Sequence, residues 1–249
     1  MSRIVSGISV MVMVWSANLL VPASAAAADV MLTDYLAYLE VEHEGRPVRV
    51  ERIQDQDNLL HDGFAKTSRK CPPFCIQPMN AAPGVTTVGE AEIFRFMDRQ
   101  MKTGAGMLID ARTPSWYEKG TIPGSVNIPF TTFSGDASEP ETIAALEQVG
   151  GVQRGEVHWL TRRFEQAMAP LGWFGADRKT ASWDFTNAKQ LVLWCNGPWC
   201  GQSPRAIEGL LAHGFPAENI AYYRGGMQLW KILGLTTVVP DSGKAVALQ

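Results

Sequence analysis

The sequence predicts an α/β fold in which a parallel sheet is flanked by helices. Residues 107–111 and 191–194 are short and almost wholly apolar, as is typical of strands buried on both faces. Apolar residues at helical spacing alternate with these runs, in residues 90–101 and again after Ser203. The 249 residues are 46% apolar, which is ample for a packed core, and the net charge of −3 argues against nucleic acid as a partner.

The first residues have the pattern of a targeting segment. After Arg3, residues 8–21 are mostly apolar, and Ala23-Ser24-Ala25 is a small-residue cleavage pattern. We interpret residues 1–25 as a cleaved signal peptide, not a retained anchor, because the apolar run is short for a span of about 20 residues. The mature protein is expected to be periplasmic or secreted, with no stable membrane insertion after cleavage.

Residues 29–80 form a predicted N-terminal extension. Apolar residues alternate with charged ones on both sides of residues 44–47, which predicts a β-hairpin. Because about fifty residues make a marginal core, we expect the extension to pack on the remainder of the chain.

Four cysteines, Cys71, Cys75, Cys195 and Cys200, allow three disulfide pairings, and the sequence does not select one. A disulfide between Cys71 and Cys75 is the simplest interpretation of their proline-rich loop. The alternatives are a redox pair that exchanges with the other two cysteines, or a four-cysteine zinc or iron–sulfur site. The metal site ranks last because export works against free thiolates, and we predict no metal and no cofactor.

Chemistry is expected where a buried strand ends in a cysteine and a glycine-containing loop leads into a helix. Cys195 ends the strand, Ser203 and Pro204 predict the N-cap and first residue of the helix, and Gly214 predicts its end. Main-chain N–H groups of such a loop lower the pKa of a thiol. Cys195 is therefore a candidate nucleophile, and the alternatives are a structural cysteine or a disulfide with Cys200.

Two segments resemble the signatures of the rhodanese-like sulfurtransferases. Residues 108–129 contain Asp-x-Arg, at Asp110 and Arg112, followed by Gly-x-Ile-Pro-Gly and a strand. Residues 191–230 contain an apolar strand, the cysteine loop, a serine-initiated helix, Gly-Gly and tryptophan in the family's order. The resemblance implies a parallel five-stranded sheet flanked by helices.

The resemblance covers roughly residues 84–237 and leaves residues 238–249 as a C-terminal tail. An aromatic-rich insert lies at about residues 131–189, where the family has a shorter connection. We expect this insert to form either a lid over the cysteine loop or additional core.

In the family, a cysteine takes sulfane sulfur from a donor of the thiosulfate or polysulfide type, forms a persulfide and passes the sulfur to a thiol acceptor. The resemblance assigns this role to Cys195 and a supporting role to Asp110 and Arg112. The predicted cradle for the persulfide is Gly197, Trp199, Gly201, Gln202, Ser203 and Arg205. Cys200 is expected to attack the persulfide and leave a disulfide, which a periplasmic thiol reductant would reset.

The loop departs from the family pattern in two ways. It is two residues longer than usual, and Gln202 stands where an arginine commonly precedes the serine. The missing arginine weakens the case for thiosulfate, which requires a positive pocket, and argues against phosphatase or arsenate reductase activity. Two alternatives stay open: a thiol–disulfide protein that uses Cys195 and Cys200, and a non-catalytic binding module.

Overall fold

A computed structural model describes residues 29–240 and 245–246 of the chain. The predicted signal peptide at residues 1–25 lies outside the described residues, as does most of the predicted tail. Within the described part, no helix combines the length and the apolar character needed to cross a membrane.

A parallel sheet of five strands forms the centre of the molecule, and shorter antiparallel pairs lie around it. The strands are β1 (Leu39–His43), β2 (Arg46–Val50), β3 (Thr86–Thr87), β4 (Gly106–Asp110), β5 (Ser125–Asn127), β6 (Val152–Gln153), β7 (Trp183–Asp184), β8 (Gln190–Trp194), β9 (Ile220–Tyr223), β10 (Thr237–Val238) and β11 (Ala245–Val246). The parallel sheet has the order β3-β9-β8-β4-β5, so the predicted five-stranded parallel sheet is confirmed.

In the described part of the chain, seven α-helices connect and flank these strands. They are α1 (Glu90–Phe96), α2 (Pro114–Tyr117), α3 (Phe130–Phe133), α4 (Pro140–Gln148), α5 (Trp159–Met168), α6 (Gln202–Ala212) and α7 (Gly226–Ile232). A π-helical segment, Met97–Met101, extends α1 to the end of the predicted helical pattern.

The register of the central strands positions the site. In β4 and β8, Ile109 lies opposite Leu193 and Asp110 lies opposite Trp194. Because parallel strands end at the same edge of a sheet, the Asp-x-Arg segment and Cys195 emerge side by side. Four consecutive residues of β8 are buried, as its apolar pattern predicts for a central strand.

The extension forms the predicted hairpin, in which β1 and β2 are joined by a two-residue turn. Its inward-facing residues, Leu39, Val41, Val48 and Val50, belong to the same buried cluster as Trp230. The extension therefore packs on the sheet as an added layer, because its own strands bury only one face.

The insert contributes both to the core and to the surface. Phe133, Trp183 and Phe185 are buried in a cluster with the apolar face of α6. By contrast, α5 has no buried residue, and Trp159 and Phe164 on it are more than half exposed. The inward aromatic residues therefore act as additional core.

The helix after the cysteine loop begins earlier than the sequence predicts. Its N-cap is Gly201, so Ser203 and Pro204 lie in the first turn of α6, and the predicted serine N-cap is wrong. The Ser203 hydroxyl does not cap the helix because it donates a hydrogen bond to the sulfur of Cys195. The predicted end is correct, since Gly214 follows the C-cap with a φ of 87°.

Candidate active site

Main-chain hydrogen bonds from the start of α7 hold the cysteine loop in place. The N–H of Met227 donates to the carbonyl oxygen of Cys195 at 2.9 Å, and the N–H of Gln228 donates to that of Asn196 at 3.0 Å. Gly226 has a φ of 54°, and a Cβ added there would lie 2.1 Å from the Cys195 oxygen. Only glycine permits this approach of the two backbones.

A buried ion pair braces the same loop from the side. The guanidinium of Arg112 donates to both carboxylate oxygens of Asp110, at 2.8 and 2.6 Å, and both side chains are at most 1% exposed. Its third nitrogen donates to Asn196 Oδ1 at 3.2 Å, and its plane lies over the ring of Trp194. The pair therefore fixes Asn196, the residue directly after Cys195.

Polar groups converge on the sulfur of Cys195. The Ser203 hydroxyl donates to Sγ at 3.1 Å, and in the neutral form the thiol itself donates to the carbonyl oxygen of Cys200 at 3.2 Å. The main-chain N–H groups of Gly197 and Ser203 also help to lower the pKa of Cys195. This arrangement supplies donors for a thiolate at a strand end, as the loop pattern predicts.

The two thiols differ sharply in acidity. Burial alone would raise the pKa of Cys195, but hydrogen bonds from Cys200, from the Ser203 hydroxyl and from two main-chain N–H groups lower that pKa to about 7. The same hydrogen bond to Cys195, together with burial, raises the pKa of Cys200. The opposite directions of the two pKa shifts favour Cys195 as the thiolate and Cys200 as the protonated thiol.

A segment of the extension, residues 66–77, lies over the cysteine loop, and we refer to it as the strap. Cys71 and Cys75 form a disulfide within it. The Gln77 N–H donates to the carbonyl oxygen of Pro198 at 2.8 Å, and the ring of Phe74 meets that of Trp199 edge to face at 5.5 Å. The strap therefore covers Pro198 and Trp199, two of the four loop residues between Cys195 and Cys200.

Two cavities open on either side of the Phe74–Trp199 contact. The smaller, of about 150 Å³, is lined by Cys200 and by the predicted cradle residues Trp199, Gly201, Gln202 and Arg205. Cys195 is 2% exposed and does not line it. A small molecule in this cavity meets Cys200 and the cation of Arg205 before it reaches Cys195.

The larger cavity, of about 750 Å³, lies on the disulfide side of that contact. Its cations are Lys66, Arg69 and Arg224, none of which the sequence analysis assigned to the site. Lys66 and Arg69 reach the cysteine loop only through folding of the extension, and Arg224 directly follows β9, so no local pattern groups the three. The insert, proposed as a lid, contributes no residue to either cavity.

Metal binding has no support among the described residues. No cluster of histidine, cysteine, aspartate and glutamate side chains in this part of the chain is arranged to hold an ion. The four-cysteine alternative also fails chemically, because Cys71 and Cys75 are joined to each other.

The part of the chain that contains the cysteine loop matches a known protein family. The rhodanese-like domain family matches residues 96–233, which is more than half of the chain. The chain belongs to the rhodanese-like domain family. Its match includes the Asp110–Arg112 brace, the cysteine loop and the glycines that begin α7.

The solved structures that the chain resembles are related to it only distantly. A human single-domain sulfurtransferase, TSTD1, is 19% identical, with 59% of this chain and 96% of that chain covered and a TM-score of 0.34. A rhodanese-related protein from Thermoplasma volcanium is 19% identical, with 62% and 98% covered and a TM-score of 0.34. An As-Sb reductase from Leishmania major is 13% identical, with 64% and 90% covered and the same TM-score. No curated protein matches the sequence significantly.

Proposed function

We propose that this rhodanese-like protein is a sulfurtransferase or persulfide carrier in which the Cys195 thiolate takes sulfane sulfur from a small donor and passes it to a thiol acceptor. The observation that carries the proposal is the set of donors around Cys195 Sγ, with the Ser203 hydroxyl at 3.1 Å and the pKa lowered to about 7. A thiolate available near neutral pH is the reactive form of a cysteine nucleophile.

The transfer takes place in two displacements. With thiosulfate, the Cys195 thiolate attacks the outer sulfur, the S–S bond breaks with its electron pair on the leaving group, and sulfite departs. The persulfide on Cys195 then gives its outer sulfur to an acceptor thiolate, and the Cys195 thiolate is regenerated. Arg205, at the small cavity, supplies the cation that attracts an anionic donor.

Cys200 provides a second outcome for the persulfide. Its sulfur attacks the Cys195 sulfur, hydrosulfide leaves, and a Cys195–Cys200 disulfide forms. Two electrons from an external dithiol then restore both thiols. Cys200 suits this later role because its raised pKa keeps it protonated while Cys195 reacts first.

The test is persulfide loading, followed by alkylation and mass spectrometry. After thiosulfate or polysulfide treatment, we expect an adduct of one sulfur atom, about +32 Da, on Cys195. Cys195→Ser should abolish the adduct and sulfur transfer, whereas Cys200→Ser should alter turnover more than loading. Equal loss of loading in both variants would contradict this division of roles.

A second candidate function is thiol–disulfide exchange through the same two cysteines. The observation that favours it is a pair of buried free thiols five residues apart, one with a lowered and one with a raised pKa. A redox titration separates the two functions. A reversible Cys195–Cys200 couple without any persulfide adduct supports exchange, whereas a potential well below about −300 mV indicates a structural disulfide.

Export to the periplasm or outside the cell is part of the proposal. It is supported by the signal-type pattern of residues 1–25 and by the Cys71–Cys75 disulfide, which is of a kind that persists in oxidising compartments. Fractionation of cells followed by mass measurement of the mature N-terminus tests it. Recovery of the uncleaved chain from the cytoplasm would contradict it.

A further inference from the structure

The larger cavity beside the cysteine loop has an unusual charge balance. Three charged side chains line the cavity, Lys66, Arg69 and Arg224, and all three are cations. None of the described residues that line it is acidic. None of the ion pairs among the described residues involves these three side chains. Three cations around one concave surface therefore lack a neutralising carboxylate.

The hydrogen-bonding of these cations is also incomplete. Arg69 donates once, to the carbonyl oxygen of Gly63, and its Nε is buried without a partner. Arg224 donates twice to a single acceptor, the carbonyl oxygen of Gln77. Buried donors normally have partners, so the free Nε of Arg69 indicates a missing acceptor.

One part of the cavity wall is apolar and aromatic, while Thr67, Ser68 and Gln228 add polar side chains. Phe74, Ile76 and Pro198 line it, and the guanidinium of Arg69 lies 3.8 Å above the ring of Trp199. The volume of about 750 Å³ is within the range of small-molecule sites, roughly 300–1,000 Å³. An inorganic oxyanion would leave most of this volume, and all of the apolar wall, uncovered.

We propose that this cavity binds a small organic anion that carries two or more acidic groups and an apolar portion. The acidic groups would meet Lys66, Arg69 and Arg224, and the apolar portion would lie against Phe74 and Trp199. This site is separate from the small cavity at Cys200 and does not rest on sulfur transfer. The bound anion would contact Trp199, which lies between the two cysteines of the loop.

Isothermal titration calorimetry on the mature chain with its disulfide intact tests the proposal. The probe is a naphthalene dicarboxylate, and the comparison ligands are its neutral diamide and inorganic sulfate. We expect one binding site for the dicarboxylate, weaker binding at higher salt, and much weaker binding of the diamide and of sulfate.

Variants locate the binding site. Lys66→Glu and Arg69→Gln should each weaken the dicarboxylate about tenfold or more. Lys66 is exposed, so its variant should fold normally. Arg163→Glu makes the same charge change on the exposed surface of α5, away from the cavity, and should leave the affinity unchanged.

Three results would overturn the proposal: no heat of binding at millimolar dicarboxylate, equal affinity for the diamide or sulfate, or equal weakening in all three variants. Because calorimetry does not require sulfur transfer, these outcomes are independent of persulfide loading. An active sulfurtransferase with no binding in this cavity would refute only the present inference.

Discussion

The molecule carries two cysteine pairs of similar spacing, one in the strap and one in the cysteine loop, and their environments differ. Cys71 and Cys75 lie at the surface in a proline-rich turn and are joined as a disulfide. Cys195 and Cys200 are only 2% and 5% exposed and are free thiols. Spacing alone therefore does not determine the chemistry of a pair.

Hydrogen bonding explains what distinguishes the buried pair. The donors around Cys195 favour its thiolate. The interaction of Cys200 with the Cys195 side chain raises the pKa of Cys200. The disulfide of the other pair instead closes a short loop that presents Phe74 to Trp199. One pair thus lies among hydrogen-bonding groups in the buried loop, and the other shapes the cover above that loop.

The largest expected effect comes from breaking the backbone that holds the buried pair. Gly226→Ala places a Cβ 2.1 Å from the carbonyl oxygen of Cys195 at a positive φ. We expect the free energy of unfolding to fall by about 4 kcal/mol or more, measured by urea denaturation, because strain and overpacking add.

Gly172→Ala is the matched control for that substitution. Gly172 has a similar φ of 62°, but no atom lies within 4 Å of an added Cβ. The free energy of unfolding of Gly172→Ala should fall only by the cost of the left-handed conformation, about 1–2 kcal/mol. Equal losses in the two variants would show that the close approach to Cys195 is unimportant.

The next largest effect concerns the ion pair that braces the loop. Arg112→Met removes the partner of a fully buried carboxylate, Asp110, and should cost about 3 kcal/mol or more in the free energy of unfolding. Lys102→Met, in the exposed pair with Asp98, should cost less than about 1 kcal/mol. Comparable costs would mean that Asp110 is neutral or solvated in the folded protein.

Much of the loop's support could be predicted from sequence because it is encoded locally. The order of strand, cysteine, helix and double glycine fixes which backbone groups surround Cys195, and Asp110 and Arg112 are close in sequence. The start of α6 could not be placed in this way. A serine followed by proline is a typical helix start, and only the folded loop shows that the Ser203 hydroxyl instead faces the Cys195 sulfur.

The strap could not be predicted for a different reason. Its contact with the loop joins Phe74 to Trp199, which are far apart in the chain, and no local pattern encodes such pairing. The cations near the loop could not be predicted for the same reason. The loop lacks the usual arginine, and Lys66, Arg69 and Arg224 come near it only through the tertiary fold. The sequence therefore predicted the cysteine at the strand end but not its cover or its neighbouring cavity.

A smaller effect follows from opening the exposed pair. Replacing Cys71 and Cys75 together by serine removes the closure of a very short loop, which should cost at most about 2 kcal/mol in the free energy of unfolding. Because the strap then holds Phe74 less firmly, alkylation of the Cys195 and Cys200 thiols by iodoacetamide should become several-fold faster. Phe74→Ala, with the disulfide intact, should accelerate alkylation similarly, and unchanged rates in both variants would show that the strap does not limit access.

The subtlest change concerns the acidity that separates the two pairs. Ser203→Ala removes the hydroxyl that donates to Cys195 Sγ, so the pKa of Cys195 should rise from about 7 toward its ordinary value of 9.0. Ultraviolet absorbance of the thiolate measures this titration without requiring reagent access, and Ser134→Ala, whose hydroxyl donates to Phe130, is the control.

A pKa lowered by folding stabilises the protein above the unfolded pKa, and this contribution is lost as the pH falls through the folded pKa. The gain in unfolding free energy between pH 7 and 9 should therefore shrink in Ser203→Ala, and an unchanged titration midpoint would exclude the hydroxyl as a donor to the thiolate.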